Sequence, residues 1–136
     1  MPRPEPFVVH EDQCRIECWE NPERGGRVEW RTLLSADRTP TAAMTVGVAE
    51  VEPDRPGAFL LHRHAQPEVY YVLSGEGVVA IDGKQHPVRP GSAVFIPGHL
   101  EHAVRNTGAG PLRLLYAFAV DSFDQVEYVL PERSEA

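Results

Sequence analysis

The chain has 136 residues, of which 42% are hydrophobic and 24% charged, and its formal net charge at pH 7 is −7. This length and composition predict a single soluble domain spanning residues 1–136, and no apolar run is long enough to cross a membrane. The acidic balance and the lack of a basic stripe exclude nucleic acid as a partner and give no reason to expect binding to a membrane surface.

The N-terminal region shows no clear periodicity. The segment Met1–Phe7 contains three prolines and lacks the apolar core of a secretory signal, so we expect a cytoplasmic protein. The stretch His10–Asn21 is compatible with a short helix or an irregular edge of a sheet. It contains Cys14 and Cys18, whose spacing fits neither a redox pair nor a zinc quartet, and we interpret them as reduced packing residues.

The rest of the chain has the pattern of β-structure. Thirteen prolines and eleven glycines cut it into short segments of strand length. Strands are predicted at Val28–Leu34 and Thr41–Val51, and Asp82-Gly83 predicts a type I′ hairpin turn. Seven further strands are predicted at 59–64, 68–74, 77–81, 84–88, 92–96, 102–106 and 112–120. The predicted fold class is therefore all-β, a sandwich or a barrel.

Two histidines and a glutamate lie close together in these strands. In His62-Arg63-His64 the histidines are two residues apart, so on a strand both leave the same face while Arg63 points away. A short turn then leads to Glu68 at the start of the next strand, and closure of a barrel would bring His102 opposite. The spacing predicts a metal site of three imidazoles and one carboxylate.

This ligand set suits Fe, Mn, Co, Ni or Zn and is poorly suited to Ca or Mg. We therefore expect one divalent transition metal as cofactor, namely Fe, Mn, Ni or Zn. An octahedral ion with four protein ligands keeps two positions for water or substrate. His10 and His86 have no partner at ligand spacing and are interpreted as structural, and His99 is interpreted as a loop residue in solvent.

The same residues resemble the two motifs of the cupin superfamily. The first motif matches Gly57, His62, His64, Glu68 and Gly75. It has one departure, a gap of four residues instead of five after its first glycine. The second motif matches Gly91, Pro97, His102 and Asn106. Its departure is His99, which stands where a second glycine is usual.

The resemblance implies a cupin-type double-stranded β-helix, or jelly-roll barrel. The barrel core is expected at about 41–120, after an N-terminal extension at 1–40, and a homodimer is favoured because many cupins pair. Asn106 lies on the same strand face as His102, where we expect it to support a ligand or fix a loop.

Within the cupins, the stretch Glu68–Leu73 resembles the dimethylsulfoniopropionate lyases. In that family a tyrosine two residues after the glutamate ligand acts in proton abstraction, and Tyr70 matches this position. A second tyrosine from the C-terminal segment lines the site in some members, and Tyr128 is the match. The resemblance implies a small-molecule substrate and β-elimination to dimethyl sulfide and acrylate. The aromatic wall for the sulfonium is expected among Trp19, Trp30 and Phe118.

Three other functions stay open for this ligand set. Related cupins use it in dioxygenases, in which iron binds oxygen beside an enolic substrate, and an isomerase acting on sugars is a further possibility. A non-catalytic ligand-binding module is the third. Metal identity and oxygen consumption separate the enzymes from one another, and weak metal binding favours the module.

Overall fold

The protein is described here by a computed structural model that covers residues 5–20, 27–53 and 61–130. The covered segments form antiparallel strands and two 3₁₀ turns, Glu11–Gln13 and Phe123–Gln125. The strands are β1 (Glu17–Glu20), β2 (Arg27–Leu34), β3 (Thr45–Val51), β4 (Glu68–Ser74), β5 (Gly77–Ile81), β6 (Lys84–Val88), β7 (Ala93–Ile96), β8 (His102–Asn106) and β9 (Leu112–Phe118). The expected all-β class is confirmed. Within the covered residues no helix is long and apolar enough to span a membrane.

The strands form two sheets. The larger has the order β1-β2-β3-β9-β4-β7, and the smaller has the order β6-β5-β8. Between β5 and β6, Asp82 and Gly83 have φ angles of 50° and 81°, the left-handed values that the predicted type I′ turn requires. This short reversal explains why β5 and β6 pair directly.

The predicted strand at 59–64 is wrong for the part of it that the structure describes. His62 forms an isolated bridge with His102, and the next residue, Arg63, forms one with Val129. Because successive residues pair with two different segments, no ladder of hydrogen bonds can propagate. The segment is therefore extended but is not a regular strand, and Gly57 lies outside the described residues.

The N-terminal region also differs in detail from the prediction. The 3₁₀ turn and β1 both fall within the predicted stretch, so it is a turn followed by an edge strand, and Asn21 lies outside the described residues. Cys14 is half-buried, Cys18 is exposed, and both are free thiols. The packing interpretation is wrong for Cys18, because the alternation of β1 places its side chain in solvent.

Buried residues alternate with more exposed ones along the strands, and the buried set forms the inner face of the larger sheet. On β9 the side chains of Leu112, Leu114, Tyr116 and Phe118 are all buried, whereas those between them are half-buried. They pack in one cluster with residues of the smaller sheet, including Val79. Each such side chain contributes about 1.5–3 kcal/mol through burial. The core therefore lies between the two sheets.

One row of inner-face residues crosses four neighbouring strands of the larger sheet. Tyr70 of β4 lies opposite Tyr116 of β9, which lies opposite Gly47 of β3. Gly47 in turn lies opposite Thr32 of β2. We call these four residues the tyrosine row. Glu68 starts β4 two residues before Tyr70, so the predicted metal site borders this row.

Candidate metal centre

Three histidines converge where the segment before β4 meets the first residue of β8. His62 and His102 exchange backbone hydrogen bonds of 3.0 and 2.8 Å, which fixes them opposite each other. Their ring centroids are 4.3 Å apart, and the ring of His64 lies 4.9 Å from that of His102. One ligand atom from each of the three residues lies within 4.8 Å of the other two. This spacing allows all three to bind one ion.

The carboxylate of Glu68 lies against two of these rings. Its Oε1 atom is 3.3 Å from Nε2 of His64 and 3.3 Å from Nε2 of His102. Glu68 is only 4% exposed and is the first residue of β4, paired with Phe118 on β9. The register of the sheet therefore holds the carboxylate beside the histidines.

Hydrogen bonds to backbone carbonyl groups fix the orientation of the His64 and His102 rings. Nδ1 of His64 lies 2.8 Å from the carbonyl oxygen of Gln66, and Nδ1 of His102 lies 2.9 Å from that of Leu100. A carbonyl oxygen only accepts, so Nδ1 carries the proton in both rings. In the neutral imidazole, Nε2 then presents a lone pair to the cluster, which is the state that binds a metal.

Three atoms of the cluster have unmet hydrogen-bonding capacity. Nε2 of His64, Nε2 of His102 and Oε1 of Glu68 are buried without a hydrogen-bond partner among the described residues. A carboxylate facing two lone pairs needs a positive charge between them. These residues therefore fit a divalent cation.

A second loop supports the ligand segment. The backbone N–H of His99 donates to the carbonyl oxygen of His64 over 2.7 Å. A Cβ on Gly98 would lie 2.2 Å from the carbonyl oxygen of Ala65, so only glycine permits this close approach. His99 itself has φ +68°, the left-handed conformation that explains why a glycine is usual there. Its side chain is exposed, in agreement with the interpretation from sequence.

Tyr70 lies on the inner face, as its parity with Glu68 predicts. It is 6% exposed, whereas Tyr71 is 45% exposed on the outer face. Burial, and after it the charge of Glu68, raises the pKa of Tyr70 well above its usual value. The phenol therefore keeps its proton unless a cation offsets both effects.

Tyr128 also reaches the histidines. Its ring centroid lies 5.5 Å from that of His62 and 5.5 Å from that of His64. The backbone bridge between Val129 and Arg63, with bonds of 3.0 and 2.8 Å, holds the neighbouring residue in place. Tyr128 is 48% exposed, so it lies at the edge of the cluster rather than in the core.

Of the three aromatic residues expected as a wall, one borders the cluster. The ring of Phe118 lies 5.1 Å from that of His64 in an edge-on contact. Trp30 packs against the core from β2, and Trp19 lies on the edge strand β1. No local sequence feature distinguishes these three residues, because their positions in the sheet depend on long-range strand pairing.

Asn106 fixes a loop on the far side of β8. Its side-chain N–H groups donate to the carbonyl oxygens of Val51 and Gly110 over 2.8 and 2.7 Å, and its Oδ1 accepts from the N–H of Gly108 over 2.9 Å. Asn106 is 2% exposed. All three bonds go to backbone atoms, so the amide ties the turn between β8 and β9 to β3.

Two aromatic residues near the cluster, Tyr116 and Phe123, could not be recognised from the sequence as part of the site. The rings of Tyr116 and Phe123 lie 5.5 Å apart, and Phe123 lies 5.4 Å from Phe118. Tyr116 belongs to a run of apolar residues that looks like an ordinary core strand, and Phe123 follows the last strand. Only the observed register brings them beside Phe118, and through it to His64.

Comparisons with known proteins agree with this geometry. The cupin domain model matches residues 47–118. Dimethylsulfoniopropionate lyase DddW of Ruegeria pomeroyi is 44% identical over 133 residues, which cover 94% of this chain and 81% of that protein. An oxalate-binding protein of Thermotoga maritima is 34% identical over 80% of this chain and 90% of its own length.

Solved structures show the same fold. The crystal structure of a predicted oxalate decarboxylase from Thermotoga maritima superimposes with a TM-score of 0.71 and 30% identity, over 84% of this chain and 99% of that one. The jelly-roll architecture expected from the two motifs is thereby confirmed. The chain belongs to the cupin superfamily.

Proposed function

We propose that this protein is a metal-dependent carbon–sulfur lyase that cleaves dimethylsulfoniopropionate into dimethyl sulfide and acrylate. The observation that carries the proposal is the 44% identity to the lyase DddW over 94% of the chain. The convergence of the three histidines and the inward position of Tyr70 support it. The expected homodimer and cytoplasmic location stay predictions.

The proposed ligands are His62, His64, Glu68 and His102, and the ion is Fe, Mn, Ni or Zn. When bound, the ion supplies Lewis acidity toward the substrate carboxylate, which acidifies the adjacent C–H bond. The buried Nε2 and Oε1 atoms that lack partners support this ligand set. The His64 and His102 rings already carry their protons on Nδ1, so the two rings need little reorganisation when the metal binds.

The reaction needs one base and one leaving group. The base takes the proton from the carbon next to the carboxylate, and the electrons of that C–H bond form the C=C bond of acrylate. The C–S bond breaks with its electron pair on sulfur, which leaves as neutral dimethyl sulfide. The products are acrylate, dimethyl sulfide and one proton on the base.

Tyr70 is the proposed base, and Tyr128 is the proposed second tyrosine. Burial and the Glu68 carboxylate keep the proton on Tyr70, so its phenolate forms only when positive charge offsets them. Partial burial of its ring, and after it the charge of Glu68, raises the pKa of Tyr128, so Tyr128 acts as a hydrogen-bond donor. Its half-exposed position at the edge of the cluster suits a residue that orients an incoming substrate.

The sulfonium end of the substrate requires an environment that tolerates a cation. Phe118 offers its ring beside His64, and an aromatic face attracts a cation by roughly 0.5–2 kcal/mol. Phe118 is 4% exposed, which places that attraction in a desolvated setting. It is therefore the candidate for the aromatic wall that the substrate needs.

The decisive experiment measures dimethyl sulfide in the gas phase above purified protein. Protein reconstituted separately with Fe(II), Mn(II), Ni(II) and Zn(II) is incubated with dimethylsulfoniopropionate. We expect sulfide well above the uncatalysed rate with at least one metal, and its loss in His102→Ala. His86→Ala is the matched control, because His86 is an exposed histidine on β6 outside the cluster. Background rates with all four metals would refute the lyase.

A second candidate is a non-catalytic module that binds a small carboxylate. The oxalate-binding relative, 34% identical over 80% of this chain, favours it. It predicts that oxalate raises the melting temperature of metal-loaded protein while dimethylsulfoniopropionate is left intact. The lyase predicts turnover instead, so the same protein samples distinguish the two functions.

A further inference from the structure

Tyr116 places a polar atom in the apolar interior of the barrel. The residue is 5% exposed, and its hydroxyl has no hydrogen-bond partner among the described residues. Burial raises the pKa of Tyr116 far above its usual value, so the group is a neutral phenol. Leaving such a hydroxyl unpaired in the interior is destabilising, a cost that a core phenylalanine would avoid.

The fold makes space for this hydroxyl. A Cβ on Gly47 would lie 2.2 Å from the Tyr116 hydroxyl and 2.4 Å from its Cζ atom. Gly47 lies directly opposite Tyr116 in the tyrosine row. The end of the tyrosine ring therefore occupies the space that a side chain at position 47 would fill. The position of the hydroxyl therefore depends on a glycine in the middle of a strand, where glycine is otherwise unfavourable.

The polar groups beyond Gly47 are committed to one another. The hydroxyl of Thr32 donates to Glu17 over 3.0 Å. Arg38 donates to both oxygens of Glu17 over 2.9 and 3.0 Å. The Thr32 proton is thus already used, and the Glu17 carboxylate is already paired. The Thr32 oxygen lies near Tyr116 and lowers the pKa of that phenol, but it forms no hydrogen bond of normal geometry with the Tyr116 hydroxyl. This leaves the Tyr116 O–H group as a donor that still needs an acceptor.

Tyr116 is connected to the metal centre through two neighbouring residues. It lies opposite Tyr70 in the sheet. Its ring is also 6.0 Å from that of Phe118, which touches His64. An acceptor bound at the centre would therefore lie in the same part of the barrel interior.

We propose that Tyr116 is a substrate-contacting residue, whose hydroxyl donates a hydrogen bond to the carboxylate of the bound substrate. The inference rests on the proposed function. Dimethylsulfoniopropionate has no hydrogen-bond acceptor other than its two carboxylate oxygens, so a donor that contacts it must bind there. Gly47 is the positioning residue, because it leaves room for the hydroxyl.

The test compares Tyr116→Phe with Tyr71→Phe in metal-loaded protein. Tyr71 is on the same strand as Tyr70 but points outward, so its variant controls for loss of a tyrosine hydroxyl. We expect Tyr116→Phe to raise KM roughly 10- to 100-fold, as for loss of one hydrogen bond to a charged group, with kcat within about threefold. Its melting temperature without ligand should be unchanged or higher, because no protein hydrogen bond is lost.

A binding measurement separates this inference from the lyase proposal. Acrylate, a carboxylate that cannot react further, should raise the melting temperature of the unmodified protein and of Tyr71→Phe more than that of Tyr116→Phe. This comparison needs no turnover, so it tests Tyr116 even if no sulfide is formed. Equal shifts in all three proteins would overturn the proposal. A clear fall in the melting temperature of ligand-free Tyr116→Phe would also overturn it, since the hydroxyl would then be structural.

Discussion

Nε2 of His102 lies 3.3 Å from Oε1 of Glu68, and neither atom has a hydrogen-bond partner among the described residues. With the Nδ1 proton held by the carbonyl of Leu100, the facing atoms carry lone pairs and repel. His64 makes the same arrangement from another direction. The cluster is thus poised for a cation, and its stability should depend on one.

Metal binding should therefore stabilise the fold. At a metal concentration of about 1,000 times Kd, binding to the native state alone contributes about 4 kcal/mol, and the melting temperature should rise on the order of 10 °C. Thermal unfolding of chelated and reconstituted protein measures this shift. His102→Ala should abolish most of it, while His86→Ala should keep it. A melting temperature that ignores both metal and chelator would contradict the site.

Glu68→Gln tests the charge at the centre. The amide keeps the size of the carboxylate but can donate to a facing Nε2 atom, so metal-free protein should be at least as stable as the unmodified one. Metal affinity should fall by roughly 100-fold or more, since loss of a charged ligand exceeds typical outer-shell effects. Glu76→Gln, at an exposed position, controls for the lost charge. If Glu68→Gln retained full affinity, the carboxylate would not be a ligand.

The sequence predicts most of this fold because its signals are local. The hairpin at Asp82-Gly83 and the strands from β4 to β8 follow from turn residues and alternation. The segment at His62 could not be predicted in this way. Its pairing with His102 and that of Arg63 with Val129 are set by residues about 40 and 66 positions away, and no local pattern encodes them.

Local sequence likewise predicts some residues of the candidate site and not others. His62, His64 and Glu68 are close in the chain, so spacing alone suggests that they meet. Tyr116 is different, because its environment depends on the register of β9 against β3, which places Gly47 under its hydroxyl. A buried tyrosine in an apolar strand reads as core packing, and only the tertiary structure shows that its hydroxyl lacks a partner.

Asn106 should be important for stability rather than for chemistry. Asn106→Ala removes three hydrogen bonds to backbone groups and leaves buried atoms unpaired, at a cost of about 2–4 kcal/mol. The melting temperature should fall by roughly 5–15 °C. Asn106→Asp keeps the bond to Gly108 but sets an oxygen against the carbonyls of Val51 and Gly110. A stable Asn106→Asp variant would show that the amide donors contribute nothing.

The loop at His99 offers a pair of opposite changes. His99→Gly relieves a left-handed backbone, φ +68°, and should stabilise the protein by about 0.5–1 kcal/mol. Gly98→Ala puts a methyl group 2.2 Å from the Ala65 carbonyl oxygen, so it should lower both the melting temperature and the metal content. Calorimetry and elemental analysis measure the two effects. Equal stability of the two variants would contradict this description of the loop.

Tyr70→Phe tests the proposed base directly. The change removes one oxygen and keeps the ring that packs in the core, so folding and metal content should be nearly unchanged. If that oxygen accepts the substrate proton, lyase activity should fall by roughly 100-fold or more. Tyr71→Phe changes the adjacent residue on the outer face and should retain full activity, which controls for any general effect on β4. The readouts are the initial rate of dimethyl sulfide release and elemental analysis of the same samples. A Tyr70→Phe rate within about threefold of the unmodified rate would assign Tyr70 to the core, and Tyr128→Phe would then test the other hydroxyl at the cluster.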